Sequence, residues 1–224
     1  MSWAFLPQYL PVLITATVTT IELSILAMLG GCALGVAIAL LRLLTGSTSN
    51  TVVSAVVDAI RTTPLLVQIL IWYLGAAAIG HAIDPFAAAF IALAVNSGAF
   101  ISEIVRGAVT AVPRGQQEAA LSVGLSRVYS IIAIEMPQAA PAIVPALISF
   151  FIGLIKDTSL AYIVGLLELT RTGAFISNQN GRPLETYIAI AIVYFAICFP
   201  VSRFGKYVDR RLRRTGLVQE RLFA

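Results

Sequence analysis

The chain has 224 residues, of which 58% are hydrophobic and only 12% charged, with a formal net charge of +4. Such a composition lies outside that of water-soluble domains and points to the bilayer. The positive charge sits largely in the run RFGKYVDRRLRRTG, residues 203–216, which reads as an anchor against anionic headgroups, and no nucleic-acid partner is expected.

Five uncharged stretches follow one another: 23–41, 62–80, 85–102, 136–155 and 186–202. Each approaches the roughly 20 residues that a helix needs to cross about 30 Å of hydrocarbon. They are continuous runs without period-2 alternation, so a transmembrane barrel is excluded. Backbone groups in lipid must pair internally, which leaves helices. The expectation is an all-α integral membrane protein in a single domain, 1–224, with spans near 17–42, 52–78, 85–107, 136–160 and 184–205 and a basic tail over 203–224.

Lys and Arg set the orientation. With the N-terminus outside, the inner loops and tail collect Arg42, Arg106, Arg114, Arg127, Arg203, Lys206, Arg210, Arg211, Arg213, Arg214 and Arg221, and the outer side receives Arg171 and Arg182. Arg61 and Lys156 fall in or near spans and are not counted. The N-terminus is therefore expected outside and the C-terminus inside. No signal peptide is read at the start, where Pro7 and Pro11 interrupt the first apolar residues and no basic segment precedes them. Cys32 and Cys198 fall in spans and read as small buried hydrophobes, and His81 has no partner at ligand spacing, so no metal site is expected.

In the second span, Asp58 and Arg61 lie one helical turn apart and can pair. Pro64 cannot donate to the Ile60 carbonyl, so it frees that acceptor and can kink the helix beside Thr62 and Thr63. Arg61, Thr62 and Pro64 thus form a candidate kink or gate, and plain helix packing would suit them equally. In the third span, Asn96 and Ser97 sit deep, with Glu103 and Arg106 nearer the inner face. Interhelical hydrogen bonds would explain the first two and mutual pairing the second two; a pathway role is the alternative.

After the third span comes GQQEAALSVGLSRVYSIIAIEMP, residues 115–137, polar in a mostly apolar chain. A helix-forming run starts at Gln116, Gly124 interrupts it, and Ser126 can cap a second short helix opening with Arg127. Leu121, Leu125, Val128 and Ile132 give one apolar stripe. A helix resting on headgroups and a docking surface both fit this pattern.

The spacing is more specific. Glu118-Ala119-Ala120, three residues, Gly124, nine residues, then Ile134-Glu135-Met136-Pro137 resembles the EAA-x3-G-x9-I-x-L-P signature of importer permeases of the ATP-binding-cassette class, with Met136 in place of Leu. IRTTPLLVQ at 60–68, SGAFISEIVRGAV at 97–109 and GLIKDTSLAYIVGLLEL at 153–169 resemble the polar-amino-acid branch of that family. The resemblance implies that 115–131 is a cytoplasmic coupling element between spans three and four. Glu118, Ala119, Ala120, Gly124, Arg127 and Pro137 would carry motion from a pair of ATPase subunits.

The chain has no G-x-x-x-x-G-K-[ST] loop, so ATP and magnesium are expected on those partners, with no cofactor on this chain. A second permease, alike or a sister chain, would complete the pathway, and an external solute-binding protein would deliver amino acid to an outer mouth at the polar loop 166–183. The bacterial inner membrane is the implied location.

Lys156-Asp157-Thr158-Ser159 ends the fourth span. Lys156 can snorkel to headgroups, and adjacent helical residues point apart, so Lys156 and Asp157 do not make the simplest pair. In relatives, polar residues of the third and fourth spans line a substrate cavity. The resemblance therefore implies that Asp157 or Glu103 meets an ammonium and that Lys156, Thr158 or Ser159 meets a carboxylate. An ATP-independent secondary carrier is the alternative function, but internal repeats that would mark one are not evident. Without a nucleophile, base or metal cluster, no catalytic residue is expected.

Overall fold

The computed structural model describes residue 3, residues 5–45 and residues 47–214. The last part of the basic tail, 215–224 with Arg221, lies outside the described residues. The regular structure described is helical: α1 (Leu6–Leu44), α2 (Ser47–Thr62), α3 (Leu65–Ala78), α4 (Pro85–Thr110), α5 (Arg114–Ser122) and the single turn α6 (Arg127–Tyr129). A π-helical turn (Ser130–Glu135) leads into α7 (Met136–Asp157), a 3₁₀ helix (Thr158–Val164), α8 (Leu169–Asn180) and α9 (Pro183–Arg214).

Four helical stretches are long and apolar enough to cross a bilayer: Leu6–Leu44, Pro85–Thr110, Arg127–Val164 and Pro183–Leu212. The pair Asn50–Thr62 and Leu65–Ala78 makes a fifth when counted as one span, and the two halves meet at 100°. The kink expected at Pro64 is thus a full break. α1 runs 39 residues, which at 1.5 Å per residue is about 58 Å, far more than the hydrocarbon thickness. It begins ahead of residue 17 because Pro7 sits in the first turn, where no donor is needed, and the helix continues through Pro11.

α4 is the centre of the packing. Two thirds of its apolar window (67%) is buried, against 11% for the window of α9, which lies at the periphery. Leu23 and Ala27 of α1, Ala89 and Leu93 of α4 and Leu154 of α7 form one buried cluster. Ala39, Ile101, Val105, Val109, Ala139 and Ile143 form a second towards the other end of the same helices. Large apolar side chains such as Ile14, Leu29, Ile71 and Phe195 remain on the outside, as expected where lipid or a second membrane subunit covers the helix.

The contact between α1 and α4 depends on small residues. A Cβ at Gly31 would stand 2.5 Å from the Ser97 Cβ, one at Gly35 2.7 Å from the Ile101 Cβ, and one at Gly98 2.9 Å from the Leu34 Cβ. Helix association in lipid gains nothing from expelling water, so close backbone approach of this kind supplies the dispersion energy.

Residues 166–183 do not form the expected polar loop. Leu169, Thr172, Gly173, Ile176 and Ser177 recur at helical spacing and are buried along one face of α8. Glu168 caps the start of that helix and Gly181, at φ 63°, ends it. A Cβ at Gly173 would come within 2.7 Å of Ile190, so α8 lies tight against α9.

Gly35→Ala should lower the thermal midpoint of the detergent-purified protein, by an amount corresponding to about 1–3 kcal/mol of overpacking. Gly75→Ala, where an added methyl meets nothing within 4 Å, should stay within about 1 kcal/mol of the parent. Equal midpoints for the two variants would show that α1 and α4 are free to separate.

Candidate functional site

α5 carries Glu118 and Ala119 on its exposed side and turns Ala120 inward. Gly124 takes φ 81°, in the left-handed region that only glycine enters freely. The Gly124 and Leu125 N–H groups donate to Leu121 O at 3.0 Å and Ala120 O at 3.1 Å, closing the end of α5. Ser126 then caps α6, its Oγ accepting from Tyr129 N at 3.3 Å. Leu121, Val123, Val128, Tyr129 and Ile132 all remain exposed around this bend. Arg127 turns back instead: its Nη1 donates to Glu135 Oε1 at 2.5 Å, and Ser130 Oγ donates to the same oxygen at 2.8 Å. Pro137 occupies the first turn of α7, where it needs no donor.

The break between α2 and α3 is held by side chains. Thr62 and Thr63 donate to Asp58 O and Ala59 O, both at 2.7 Å. Gln68 Nε2 donates to Ile60 O at 2.7 Å and Thr63 O at 2.9 Å, so one amide satisfies the carbonyl that Pro64 frees and another beside it. Gln68 Oε1 in turn accepts from Asn96 Nδ2 at 3.4 Å, linking the break to α4. Arg61 stands 3.6 Å from Asp58 in a half-exposed pair and lies over the Phe100 ring at 5.0 Å. Ser97 is buried inside the α1–α4 contact.

Glu103 is committed to ion pairs. One oxygen accepts from Arg42 Nη1 and the other from Arg106 Nη2 at 2.7 Å. Arg42 is itself buried and donates to Asn50 Oδ1 at 3.1 Å and Ser54 Oγ at 2.7 Å. The cluster ties α1, α2 and α4 together, and its buried member is Arg42, with Glu103 and Arg106 partly exposed. Each oxygen of Glu103 thus accepts from one arginine, the mutual pairing with Arg106 that the spacing suggested together with a second partner, Arg42.

At the other end of α7, Lys156 and Asp157 are exposed and Thr158 is buried with its hydroxyl donating to Ile155 O at 2.7 Å. A cavity of about 520 Å³ opens between this end and α9, walled by Lys156, Ser159, Thr170, Tyr187, Tyr194 and Phe195. Lys156 and Ser159 therefore share one cavity wall, whereas Asn96, Ser97 and Glu103 belong to other clusters. Glu168 is fully buried beside it. Its carboxylate accepts from Thr170 N at 2.8 Å, Arg171 N at 2.7 Å and Tyr194 Oη at 3.1 Å. Burial pushes the Glu168 carboxyl above the usual carboxylate range, and the Thr170 and Arg171 N–H groups and the Tyr194 hydroxyl only partly offset it.

Arg42, Gln68, Glu135, Glu168 and Tyr194 were given no site role from the sequence. For Glu168 a signal was present, an acceptor side chain directly before the stripe Leu169, Thr172, Ile176 and a glycine at its end. Arg127 and Glu135, eight residues apart, carry no such spacing rule.

The sequence family described as binding-protein-dependent transport system inner membrane component matches residues 31–214. The chain belongs to that family. The permease is 37% identical over 213 residues to the glutamine transport system permease protein GlnP of Escherichia coli (strain K12), with 94% of this chain and 97% of that protein covered. It is 38% identical to the L-cystine transport system permease protein TcyB of Bacillus subtilis (strain 168), over 95% and 92% of the two chains. A crystal structure of an amino acid ABC transporter with histidines superposes with a TM-score of 0.87 at 34% identity, covering 94% of this chain and 99% of that one. The methionine transporter MetNI, at 19% identity and a TM-score of 0.81, shares the fold. The permease is thus an inner-membrane transport component, and its family implies an ATPase partner and a solute-binding protein.

Gln68→Met should leave two carbonyls unpaired in apolar surroundings and cost the permease about 2–4 kcal/mol, read as a lower thermal midpoint in detergent. An unchanged midpoint would mean that other groups satisfy the break.

Glu168 predicts a pH dependence of defined sign. Its raised carboxyl favours the folded state below the ordinary carboxylate range, and that contribution is lost as pH rises through the raised value. Thermal midpoints measured across that window should fall with rising pH in the parent and change less in Glu168→Gln. Parallel curves would refute the assignment.

Proposed function

We propose that the permease imports an amino acid delivered by an external binding protein, with its N-terminus outside and its C-terminus inside, and with α5 and α6 as the cytoplasmic element that meets the ATPase pair. The exposed apolar side chains around Gly124, at the one bend that also carries the Glu118-Ala119-Ala120 signature, are the observation that carries this reading. A water-facing bend with Leu121, Val123, Tyr129 and Ile132 uncovered is costly unless a partner covers it. A second permease, alike or a sister chain, completes the pathway, and ATP and magnesium bind the ATPase subunits. The names of the relatives support amino-acid cargo.

Transport proceeds by alternating access, which requires ATP to bind one conformation better than the other. Cargo passing the end of α7 meets the cavity between Lys156 and α9. Lys156 supplies the cation for the carboxylate, Ser159 and Tyr194 supply neutral hydrogen-bonding groups, and Phe195 and Ile190 supply apolar wall. Asp157, exposed at the same helix end, is available to an ammonium. The Arg61, Thr62, Pro64 break, braced to Asn96 through Gln68, can absorb a change of angle between α2 and α3.

The test uses the permease co-expressed with its ATPase and binding protein in liposomes. Glu118→Lys with Gly124→Asp should abolish ATPase co-purification, and retention of the ATPase would end the docking assignment. Lys156→Met should raise the substrate concentration for half-maximal uptake about tenfold, the worth of one charged hydrogen bond. Unchanged uptake in both Lys156→Met and Asp157→Asn would remove that end of α7 from the pathway.

A further inference from the structure

Along the chain, α5 and α6 lead into α7 through one joint, the π-helical turn Ser130–Glu135. Such a turn lacks the regular bonds of an α-helix, and single π-helical turns within helices occur frequently at functional sites. Here it is bridged from one side to the other. Arg127 precedes the turn, Glu135 is its last residue, and their side chains meet at 2.5 Å. Ser130, its first residue, donates to the same Glu135 oxygen at 2.8 Å. Glu135 is 5% exposed, and its two partners share one of its oxygens between them. A second tie runs in parallel, from Gln138 Nε2 of α7 to Gln116 Oε1 of α5 at 3.3 Å, but both of those residues are exposed. The buried bridge is the stiffer of the two.

We propose that Glu135 is a positioning residue for energy coupling: by clamping Arg127 and Ser130 across the π-helical turn it makes α5, α6 and α7 move as one body. The inference rests on the docking role proposed above for α5 and α6. Glu135 touches neither cargo nor nucleotide. It acts through Arg127, whose guanidinium would otherwise be free to turn to water beside Gln117 and Arg114 in the adjoining cleft of about 170 Å³. With the clamp released, the coupling element bends at the turn instead of carrying α7 with it, and ATP is hydrolysed without movement of the pathway.

The readout is cargo accumulated per ATP hydrolysed in proteoliposomes holding the permease, its ATPase and its loaded binding protein. Glu135→Gln keeps the shape and an acceptor for Ser130 but removes the charge that holds Arg127. The ATPase should remain bound, and the ratio should fall about fivefold, within the range by which single contacts alter coupling. Arg127→Lys, which keeps the charge, should retain about half the parent ratio, on the same scale. A residue that merely stabilised the fold would lower uptake and hydrolysis together and leave the ratio unchanged. A ratio within twofold of the parent in Glu135→Gln with the ATPase bound therefore overturns the proposal. Should Glu135→Gln not assemble, Ser130→Ala carries the decision: a partial fall in the ratio supports the clamp and an unchanged ratio overturns it. Failure of the docking role itself would show elsewhere, as ATPase retention by the Glu118 and Gly124 double variant.

Discussion

Inside a bilayer no water is at hand to take a backbone hydrogen bond, so every interruption of a helix must bring its own partner. The break in the candidate span α2–α3 answers that constraint, and two other interruptions are braced by buried side chains as well. At the break after Pro64, Gln68 reaches back to two carbonyls. Where the 3₁₀ helix gives way to α8, Glu168 receives two N–H groups and is itself held by Tyr194. At the π-helical turn, Glu135 holds Arg127 and Ser130. Each of these side chains is buried, and at Gln68 the two segments meet at 100°.

Those same places are where a transporter has to bend. A regular helix such as α4, central and buried along most of its length, is a poor candidate for movement. The broken pair α2–α3 packs against it, and the turn between α6 and α7 leads into α7, which does too. α1 is fixed to α4 by contacts that only glycine permits, and α2 is tied to both at one end by the Arg42–Glu103–Arg106 cluster. The result is a rigid centre with braced joints around it. The candidate cargo cavity opens on α9, the least buried of the long helices, where a second permease or lipid can reach it.

Much of this architecture was legible in the amino-acid order. The spans announce themselves through uncharged runs, the bend at Gly124 through glycine followed by a capping serine, and the break at Pro64 through a missing donor. The spaced signature from Glu118 to Pro137 pointed to the permease family, to which the chain belongs. Other features were not legible. Residues 166–183 read as a loop because their mean polarity hides the stripe of Leu169, Thr172 and Ile176. For Glu103 the pairing with Arg106 was legible one turn away, whereas its second arginine lies 61 positions away and was not.

Apolar content, proline and glycine positions and short-range spacing act through local physics, the cost of leaving water and the reach of one helical turn. The sequence alone therefore determined a helical membrane protein, its breaks at Pro64 and Gly124 and which family it joins. Which charge meets which carboxylate, which hydroxyl is buried and which residues wall the cavity depend on contacts between distant segments. Arg42 with Glu103, Asn96 with Gln68 and Glu168 with Tyr194 were decided only by the tertiary structure, because pairing energies at a few ångströms leave no periodic trace along the chain.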